Sequence, residues 1–487
     1  MGRNDRDMVD VELLDGGSGT DVPRARAEGT GEQPPADRAA RRRLWRRAAA
    51  VLAVVVAGLA VTTQWGSLQV SRDDARVAAF ADVPGFSSSL REPLTEVWST
   101  TGFFSAAGDL VLSHQESDGT RRTEARDIRT GELRWTVPAP ATRDGWPMCS
   151  ASTSDGSLLL CDIQGVDGQS APNTDAVLGG EPDRLVVLDA TDGSRRAERV
   201  LDSRTVGWAL LDDDVVVARR EGGVVRLERS TVLDGDEVWS AEVPLPDGGS
   251  TADSYVLAAT DGLVVLTGPV AAVLDGDGGA VLGSWTPTDG APGPVQVQTS
   301  AEGFAVWRAP DEGTWFDRRG AAGARLPGAP VRQPLSDGSA PHVVLVEDGE
   351  ALRAVDVRAG EELWRSTPLE QVLLRVRGLV VVQRVGSLQT VDVLTGDVRW
   401  SVGLDGGVPR TLTPVTDGVR LLVPSALSES AGRAEQVTAY DVGSGERRWT
   451  LAVPGPDGIV RVVGAGTGAG AVAVLGASGL RVLTGSG

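Results

Sequence analysis

The chain has 487 residues and a formal net charge of −20 at pH 7. This length allows one large all-β domain with a tail. The negative charge argues against nucleic acid or an anionic membrane surface as a partner of the soluble part. Only two histidines and two cysteines are present, which limits the metal sites and nucleophilic chemistry that the chain could support.

The N-terminal region predicts a tail followed by a membrane helix. Residues 1–37 are rich in Asp, Glu, Gly and Pro, so we expect a disordered tail over residues 1–47. The arginine cluster Arg41–Arg47 precedes an apolar run at 48–65 that is long enough to span a bilayer, with Trp45 and Trp65 at its ends. The arginines predict a cytoplasmic tail and an extracytoplasmic remainder, as in a single-pass protein of the cytoplasmic (plasma) membrane.

A cleaved signal peptide is the alternative for this region. The segment before the apolar run is too long for one, and the small-residue site at Ala79–Ala81 lies too far beyond the run. Neither cysteine is placed for lipidation. We therefore expect a retained signal anchor, followed by a linker at residues 66–93 that includes a short helix near Asp73–Phe80.

A recurring turn signature organises residues 94–487. It consists of a short strand, an Asp, a Gly four positions later and a Trp four positions after that. The Asp is suited to hydrogen-bond the turn backbone, the Gly supplies a positive φ, and the Trp fills the space between one small sheet and the next. We therefore assign these residues structural roles. The copies in full register are Asp127, Gly131, Trp135, Asp356, Gly360, Trp364, Asp392, Gly396, Trp400, Asp441, Gly445 and Trp449.

The signature resembles the repeat of quinoprotein-type β-propellers, the superfamily that holds pyrroloquinoline-quinone dehydrogenases and the outer-membrane assembly lipoprotein of the BAM complex. The resemblance implies an all-β propeller of four-stranded blades. With the blade formed by ring closure included, weaker copies bring the number of strand sets to nine: Asp189–Gly193, Gly235–Trp239, Asp275–Trp285 and Trp315–Gly323. Because propellers usually have no more than eight blades, we expect eight, within a range of seven to nine.

The two chain ends predict how the ring closes. Trp98 lies in a strand that looks like the last strand of a blade without the three strands before it. The C-terminus supplies three strands without a Trp strand after them, at Ile459–Val463, Ala471–Leu475 and Leu480–Leu483. Pairing the first strand with these three would complete one blade and remove exposed sheet edges.

A disulfide is expected between Cys149 and Cys161. They lie on two adjacent predicted strands, Trp146–Thr153 and Ser157–Ile163. A turn centred on Asp155 would place the two side chains opposite each other, and a location outside the cell permits oxidation.

The motifs of a catalytic member of this superfamily are absent from the sequence. A quinone-dependent dehydrogenase is expected to carry two adjacent cysteines, and some members carry a haem-attachment Cys-x-x-Cys-His; this chain has neither. Asp275–Gly279 is similar to a calcium loop but lacks the distal acid and coincides with a hairpin turn. His114 and His342 lie on different predicted strands. We therefore predict no cofactor, no metal site and no enzymatic activity.

These observations favour a non-catalytic platform that binds an envelope protein or peptide. Insertions at Gly165–Pro182, Asp405–Pro409 and Ser425–Arg433 would emerge on the faces of the ring, where loops often carry recognition, and the first is the leading candidate. Two alternatives stay open. One is a ligand sensor that signals through the membrane helix to residues 1–47, and the other is a cofactor-dependent oxidoreductase.

Overall fold

The computed structural model describes residues 71–80, 85–87, 89–117, 120–139, 148–151, 153, 156–164, 169–170, 177–178, 183–246, 255–286, 295–308, 312–333, 335–367, 371–384, 386–404, 414–425, 436–452, 462–464, 471–476 and 479–485. The predicted tail at 1–47 and the predicted membrane helix at 48–65 lie outside the described residues. No helix within the ranges above has both the length and the apolar character needed to cross a membrane.

The described residues form a short helix at 71–78 and 39 strands. The first strand is β1 (Leu94–Thr100), and blade 1 follows as β2 (Phe103–Ala107), β3 (Leu110–Ser117), β4 (Thr120–Asp127) and β5 (Leu133–Pro138). Blade 2 contains β6 (Met148–Ala151), β7 (Leu158–Ile163), β10 (Arg184–Asp189) and β11 (Arg195–Val200), and the small hairpin β8 (Gln169–Ser170) and β9 (Val177–Leu178) lies between β7 and β10 in sequence.

The next blades have four strands each in chain order. Blade 3 is β12 (Thr205–Leu211), β13 (Asp214–Glu221), β14 (Val224–Thr231) and β15 (Glu237–Pro244). Blade 4 is β16 (Val256–Thr260), β17 (Leu263–Thr267), β18 (Ala271–Asp275) and β19 (Val281–Trp285). Blade 5 is β20 (Val295–Ser300), β21 (Gly303–Arg308), β22 (Gly313–Asp317) and β23 (Ala322–Leu326).

The last blades include one extra strand. Blade 6 is β24 (Ala329–Pro330), β26 (Val343–Glu347), β27 (Leu352–Asp356) and β28 (Glu361–Ser366). Blade 7 is β29 (Gln371–Val376), β30 (Leu379–Arg384), β31 (Ser387–Asp392) and β32 (Val398–Gly403), and β25 (Leu335–Ser336) pairs with β29 in parallel as its fifth strand. Blade 8 is β33 (Val415–Thr416), β34 (Arg420–Ser425), β35 (Gln436–Asp441) and β36 (Arg447–Ala452), followed by β37 (Val462–Gly464), β38 (Val472–Gly476) and β39 (Gly479–Gly485).

The two chain ends together form blade 9. Strand β1 pairs antiparallel with β39, with Leu94 opposite Gly485 and Trp98 opposite Val482, so that the sheet order is β1-β39-β38-β37. This confirms the ring closure predicted from the two incomplete ends. The last strand, β39, is thereby paired on both sides, with β1 and with β38.

The described residues form nine blades, so the expectation of eight is wrong and the upper end of the expected range is correct. The weak copies of the signature all build complete blades. In blade 2, for example, Leu159, Leu160, Leu185 and Val187 on the two middle strands are buried, although Ala197 stands where a Trp is expected. The apolar side chains of the middle strands therefore suffice to form a blade, with or without the Trp.

The hydrophobic core is a series of layers between neighbouring blades. Between blades 3 and 4, for instance, Leu227 and Val216 pack in one cluster with Val264 and Leu274. Fourth strands carry exposed apolar residues such as Val200 and Val398, which are 57% and 55% exposed. Neighbouring blades thus depend on each other to bury their apolar faces.

The predicted linker contacts the propeller closely. Phe86 forms a parallel bridge with Thr416, and the N–H of Ser87 donates to the Thr416 carbonyl at 2.8 Å. Phe80 stacks on Phe86 with ring centroids 5.2 Å apart, and Leu90 is fully buried. Phe86 and Ser87 are therefore packed against the first strand of blade 8, with Phe80 stacked on Phe86.

A buried carboxylate anchors this segment. Asp417 is fully buried, and its Oδ2 accepts the N–H of Leu90 at 2.7 Å and a hydrogen bond from Arg420 Nη1 at 3.1 Å. The carbonyl of Leu90 in turn accepts the indole N–H of Trp449 at 2.9 Å. Leu90 therefore connects blade 8 to the segment that leads into blade 9.

Candidate functional site

The Asp of the signature builds the turn that connects the third and fourth strands of a blade. In blade 1, Asp127 Oδ1 accepts the backbone N–H groups of Arg129 at 3.0 Å and Thr130 at 2.9 Å. The N–H of Gly131, which has φ of 71°, donates to the Asp127 carbonyl at 2.8 Å. Burial raises the pKa of Asp127, but its bonds with Arg134 and the turn outweigh burial and lower the pKa below its usual value. We call such a segment a receiving turn.

The Trp of the signature docks on the receiving turn of the next blade. Trp364 of blade 6 donates its indole N–H to the carbonyl of Val393 in blade 7 at 2.8 Å. A Cβ on Gly396 would lie only 2.7 Å from Cγ of this indole. The Gly is therefore needed twice, for its φ of 75° and because the ring lies where a side chain would begin.

Five interfaces within the described residues share this arrangement, and we call them Trp-filled interfaces. In each, the indole N–H donates to the carbonyl of the second residue of the receiving turn, and the ring covers the turn's glycine. The pairs are Trp98 with Gly131, Trp135 with Gly193, Trp239 with Gly279, Trp364 with Gly396, and Trp400 with Gly445.

Two interfaces are filled by a tryptophan from another position. In blade 4, Gly283 occupies the strand position of the signature Trp, and Trp285 folds back over it to pack on Phe304 and Phe316 of blade 5. In blade 5, Trp315 from the third strand packs with Ala324 and residues of blade 6. At both interfaces, between blades 4 and 5 and between blades 5 and 6, a Trp still fills the apolar layer, but it comes from a different strand position.

In the interface between blades 2 and 3, the half-buried Trp208 of β12 packs against the apolar cluster, but among the described residues no indole covers the glycine of the receiving turn. Ala197 pairs with Val187 at the strand position where the other blades carry Trp. A cavity of about 210 Å³ lies beside it, and the receiving turn of blade 3, Thr231–Gly235, forms part of its wall. We call this space the blade 2–3 cleft.

An ion pair joins the two blades beside the cleft. Arg199 of blade 2 donates to Glu228 at 2.7 Å and to Ser230 at 2.6 Å, both in blade 3, and Arg219 also pairs with Glu228 at 2.9 Å. Burial alone would raise the pKa of Glu228, but the two arginines outweigh burial and hold this pKa below its usual value. The interface whose receiving turn carries no Trp is therefore held by charged contacts in addition to its apolar cluster.

A second cavity, of about 310 Å³, lies where blades 5, 6 and 7 meet, and we call it the blade 5–7 cavity. Its wall combines apolar groups such as Trp315 and Val344 with polar ones such as Gln298 and Thr299. Apolar pockets with a few convergent polar groups are the usual form of a ligand site.

Arg375 lines this cavity while being 5% exposed. Its Nη1 donates to the Ala340 carbonyl at 2.9 Å and its Nη2 to the Val343 carbonyl at 2.7 Å. Its Nε has no hydrogen-bond partner among the described residues. Burial lowers the pKa of Arg375 to about 10, with Asp337 acting in the opposite direction, so the guanidinium stays charged at neutral pH. The cavity wall thus carries a fixed positive charge in a protein of negative net charge.

The two cysteines form the predicted disulfide. Cys149 lies directly opposite Cys161 on β6 and β7, with Cα atoms 4.0 Å apart. Both side chains are buried in the layer between blades 1 and 2, where they pack near Trp135. Of the insertion predicted as a recognition loop at Gly165–Pro182, only β8 and β9 are described, and they lie close in sequence to this disulfide.

The isolated titratable residues do not come together. His114 is buried and its Nδ1 lies 3.0 Å from Thr123 Oγ1, whereas His342 lies in the segment before β26. Asp275 Oδ2 accepts the N–H of Gly278 at 2.8 Å, as expected for a hairpin turn. Within the part of the chain that the structure describes, no group of three or more His, Cys, Asp or Glu side chains is placed to hold a metal ion.

The fold and its repeated Trp-filled interfaces define a β-propeller with quinoprotein-like repeats. The chain belongs to the family of the outer membrane protein assembly factor BamB, whose family model matches residues 121–292 and 293–486. No curated protein matches the sequence.

Solved propellers are similar to this chain at low sequence identity. BamB from Moraxella catarrhalis is 15% identical with a TM-score of 0.40, covering 80% of this chain and 99% of its own. Saccharomyces cerevisiae Sqt1 is 12% identical with a TM-score of 0.39, covering 82% and 98%. A europium-containing methanol dehydrogenase is 12% identical with a TM-score of 0.36, covering 80% and 84%.

Proposed function

We propose that this chain is a single-pass protein of the cytoplasmic membrane whose extracytoplasmic propeller is a non-catalytic platform for an envelope protein or peptide. The observation that carries the proposal is the blade 5–7 cavity. It offers an apolar floor, polar groups on strand β20 and the charged Arg375 in one concave surface. Membership of a family named for an outer membrane protein assembly factor supports a partner that is a protein.

The membrane location rests on the sequence and on the disulfide. The apolar run at 48–65 follows the Arg41–Arg47 cluster, and the Cys149–Cys161 bond is of the kind that persists outside the cytoplasm. Protease added to intact spheroplasts should digest the propeller and leave an N-terminal epitope inside protected. If the propeller is also protected in intact spheroplasts and is digested only after lysis, this orientation is contradicted.

Site-specific photo-crosslinking in intact cells tests the platform. The photoreactive residue replaces Gln333, which lines the cavity, and in a control it replaces Glu350, at the other end of the blade 6 strands. We expect one abundant envelope protein to be crosslinked from position 333 and not from position 350. If neither position gives a crosslink above background, the cavity is not a platform for a protein.

A ligand sensor is the second candidate, and the packing of Phe86, Ser87 and Leu90 on blade 8 favours it. Through Leu90 and Asp417, a change in the propeller could reach the segment that leads back to the predicted membrane helix. Deletion of residues 1–47 distinguishes the two functions. A platform should keep its crosslink from Gln333 and its cellular role, whereas a sensor should keep the crosslink and lose the role.

A further inference from the structure

The receiving turn of blade 3 has the same backbone conformation as those that hold a Trp. Gly235 has φ of 72° and donates its N–H to the Thr231 carbonyl at 3.1 Å, and the Thr231 N–H donates to the Asp236 carbonyl at 3.0 Å. In blade 8, whose receiving turn holds a Trp, the corresponding glycine is Gly445. It has φ of 71° and donates its N–H to the Asp441 carbonyl at 2.8 Å. The turn therefore takes its docking conformation without an indole on it.

The glycine of this turn is accessible. Gly193, Gly279 and Gly445 are buried beneath their tryptophans, whereas Gly235 is exposed. Among the described residues, no heavy atom lies within 4 Å of the position that a Cβ on Gly235 would occupy. The surface that carries an indole elsewhere in the ring can be reached from solvent here.

The inner wall of the blade 2–3 cleft is apolar. Leu160, Leu185 and Val187 of blade 2 pack with Val215 of blade 3 in one buried cluster, and all four line the space of about 210 Å³. Water occupies roughly 30 Å³ per molecule and needs polar partners, which these side chains do not supply. An aromatic group that displaces such water would gain contact area and lose few hydrogen bonds.

The acceptor that fixes the indole elsewhere has its counterpart in this turn. Each docked Trp donates its N–H to the second residue of the receiving turn, such as Val393 or Val442. The second residue of the blade 3 turn is Val232, which also lines the cleft. The cleft therefore combines a flat glycine surface, an apolar wall and a carbonyl at the position that orients the ring.

From this geometry we infer that the blade 2–3 cleft binds a tryptophan side chain of another protein. The indole stacks on Gly235 and donates its N–H to the Val232 carbonyl, in the place that Trp occupies at five other interfaces. The Arg199–Glu228 pair holds the two blades at a fixed separation beside the site. Asp234, exposed on the rim, and the net charge of −20 favour basic residues next to that tryptophan.

A titration of the purified full-length chain, followed by saturation-transfer NMR, tests this inference. The probe is N-acetyl-L-tryptophanamide, and N-acetyl-L-leucinamide is the comparator of similar polarity. We expect the dissociation constant of the tryptophan amide to be at least about tenfold lower. Equal affinity for the two amides would overturn the inference.

Two tryptophan variants locate the bound probe. Ala197→Trp supplies the indole from the chain itself and should abolish binding, whereas Val200→Trp, on the same strand but 57% exposed, should leave it unchanged. If the first variant does not fold, Ala197→Leu fills part of the cleft and should weaken binding at least about tenfold. Binding that persists in Ala197→Trp or Ala197→Leu would overturn the inference. No envelope partner enters this test, so its outcome is independent of the crosslinking from Gln333.

Discussion

The interface between blades 6 and 7 and the interface between blades 2 and 3 join the same elements in different ways. In the first, Trp364 is buried on Gly396 and hydrogen-bonded to Val393. In the second, Ala197 leaves a cleft beside the receiving turn, and the contact is made by an apolar cluster and by the Arg199–Glu228 ion pair. The difference shows that a Trp on the receiving turn is not needed to form a blade, and that an interface without it leaves a cavity while the ring stays closed.

The largest expected effect comes from removing a Trp from a filled interface. Trp364→Ala should lower the free energy of unfolding by about 3–5 kcal/mol, because a buried aromatic and its hydrogen bond are lost and a cavity remains. Urea unfolding followed by circular dichroism measures this. Val398→Ala, on an exposed site of the adjoining blade, should change the value by less than about 0.5 kcal/mol. An equal loss of unfolding free energy in both variants would show that the docked Trp stabilises the fold no more than an exposed residue does.

The disulfide of blade 2 should have the next largest effect. Replacing Cys149 and Cys161 by Ala removes a crosslink between β6 and β7 and should cost about 2–4 kcal/mol. Thermal unfolding of the wild type should shift downward when a reductant is added. The double variant should already unfold at the lower temperature and should not respond to the reductant.

The charged contact of the blade 2–3 interface should depend on pH. Glu228 has a pKa held below 4.5 in the folded protein, so its stabilisation is present above that pH and is lost as the pH falls through the lowered value. Glu228→Gln should cost about 1–2 kcal/mol at pH 7, and its unfolding free energy should converge with that of the wild type on acidification. Glu237→Gln, at an exposed site, is the control. A difference between Glu228→Gln and the wild type that does not shrink on acidification would contradict this account.

The smallest expected effect is a gain. Ala197→Trp should convert the cleft into a Trp-filled interface and raise the free energy of unfolding by about 0.5–1 kcal/mol, as cavity-filling substitutions commonly do. Val200→Trp should give no gain, since its side chain stays exposed. A loss of stability in Ala197→Trp would mean that the cleft differs in shape from the other docking positions.

The repeat made much of this fold predictable from the sequence. The period of Asp127, Gly131 and Trp135 indicated the propeller, and the incomplete ends indicated closure through Trp98. The predicted number of blades is wrong because the usual upper limit of eight outweighed the weak copies at Asp189 and Asp317. They form blades because their strands bury apolar rows, a property that does not require the signature.

The candidate sites were much less predictable. The sequence shows that Ala197 replaces a Trp, but it does not show which turn the Trp would have covered, because that turn lies in the next blade. Arg375 reaches the carbonyls of Ala340 and Val343 across more than thirty residues of sequence, a contact set by the ring and not by local pattern. The hydrogen bond between Leu90 and Asp417 joins positions still further apart in sequence, so the sequence of the linker does not predict it.

A crystal structure of the Ala197→Trp variant tests the central claim most directly. The account predicts that the new indole lies flat on Gly235, with its N–H donating to the Val232 carbonyl at a distance close to the 2.8 Å seen for Trp364 and Val393. An indole turned out to solvent, or a receiving turn that changes its conformation to admit the ring, would show that the blade 2–3 cleft is not a preformed tryptophan site.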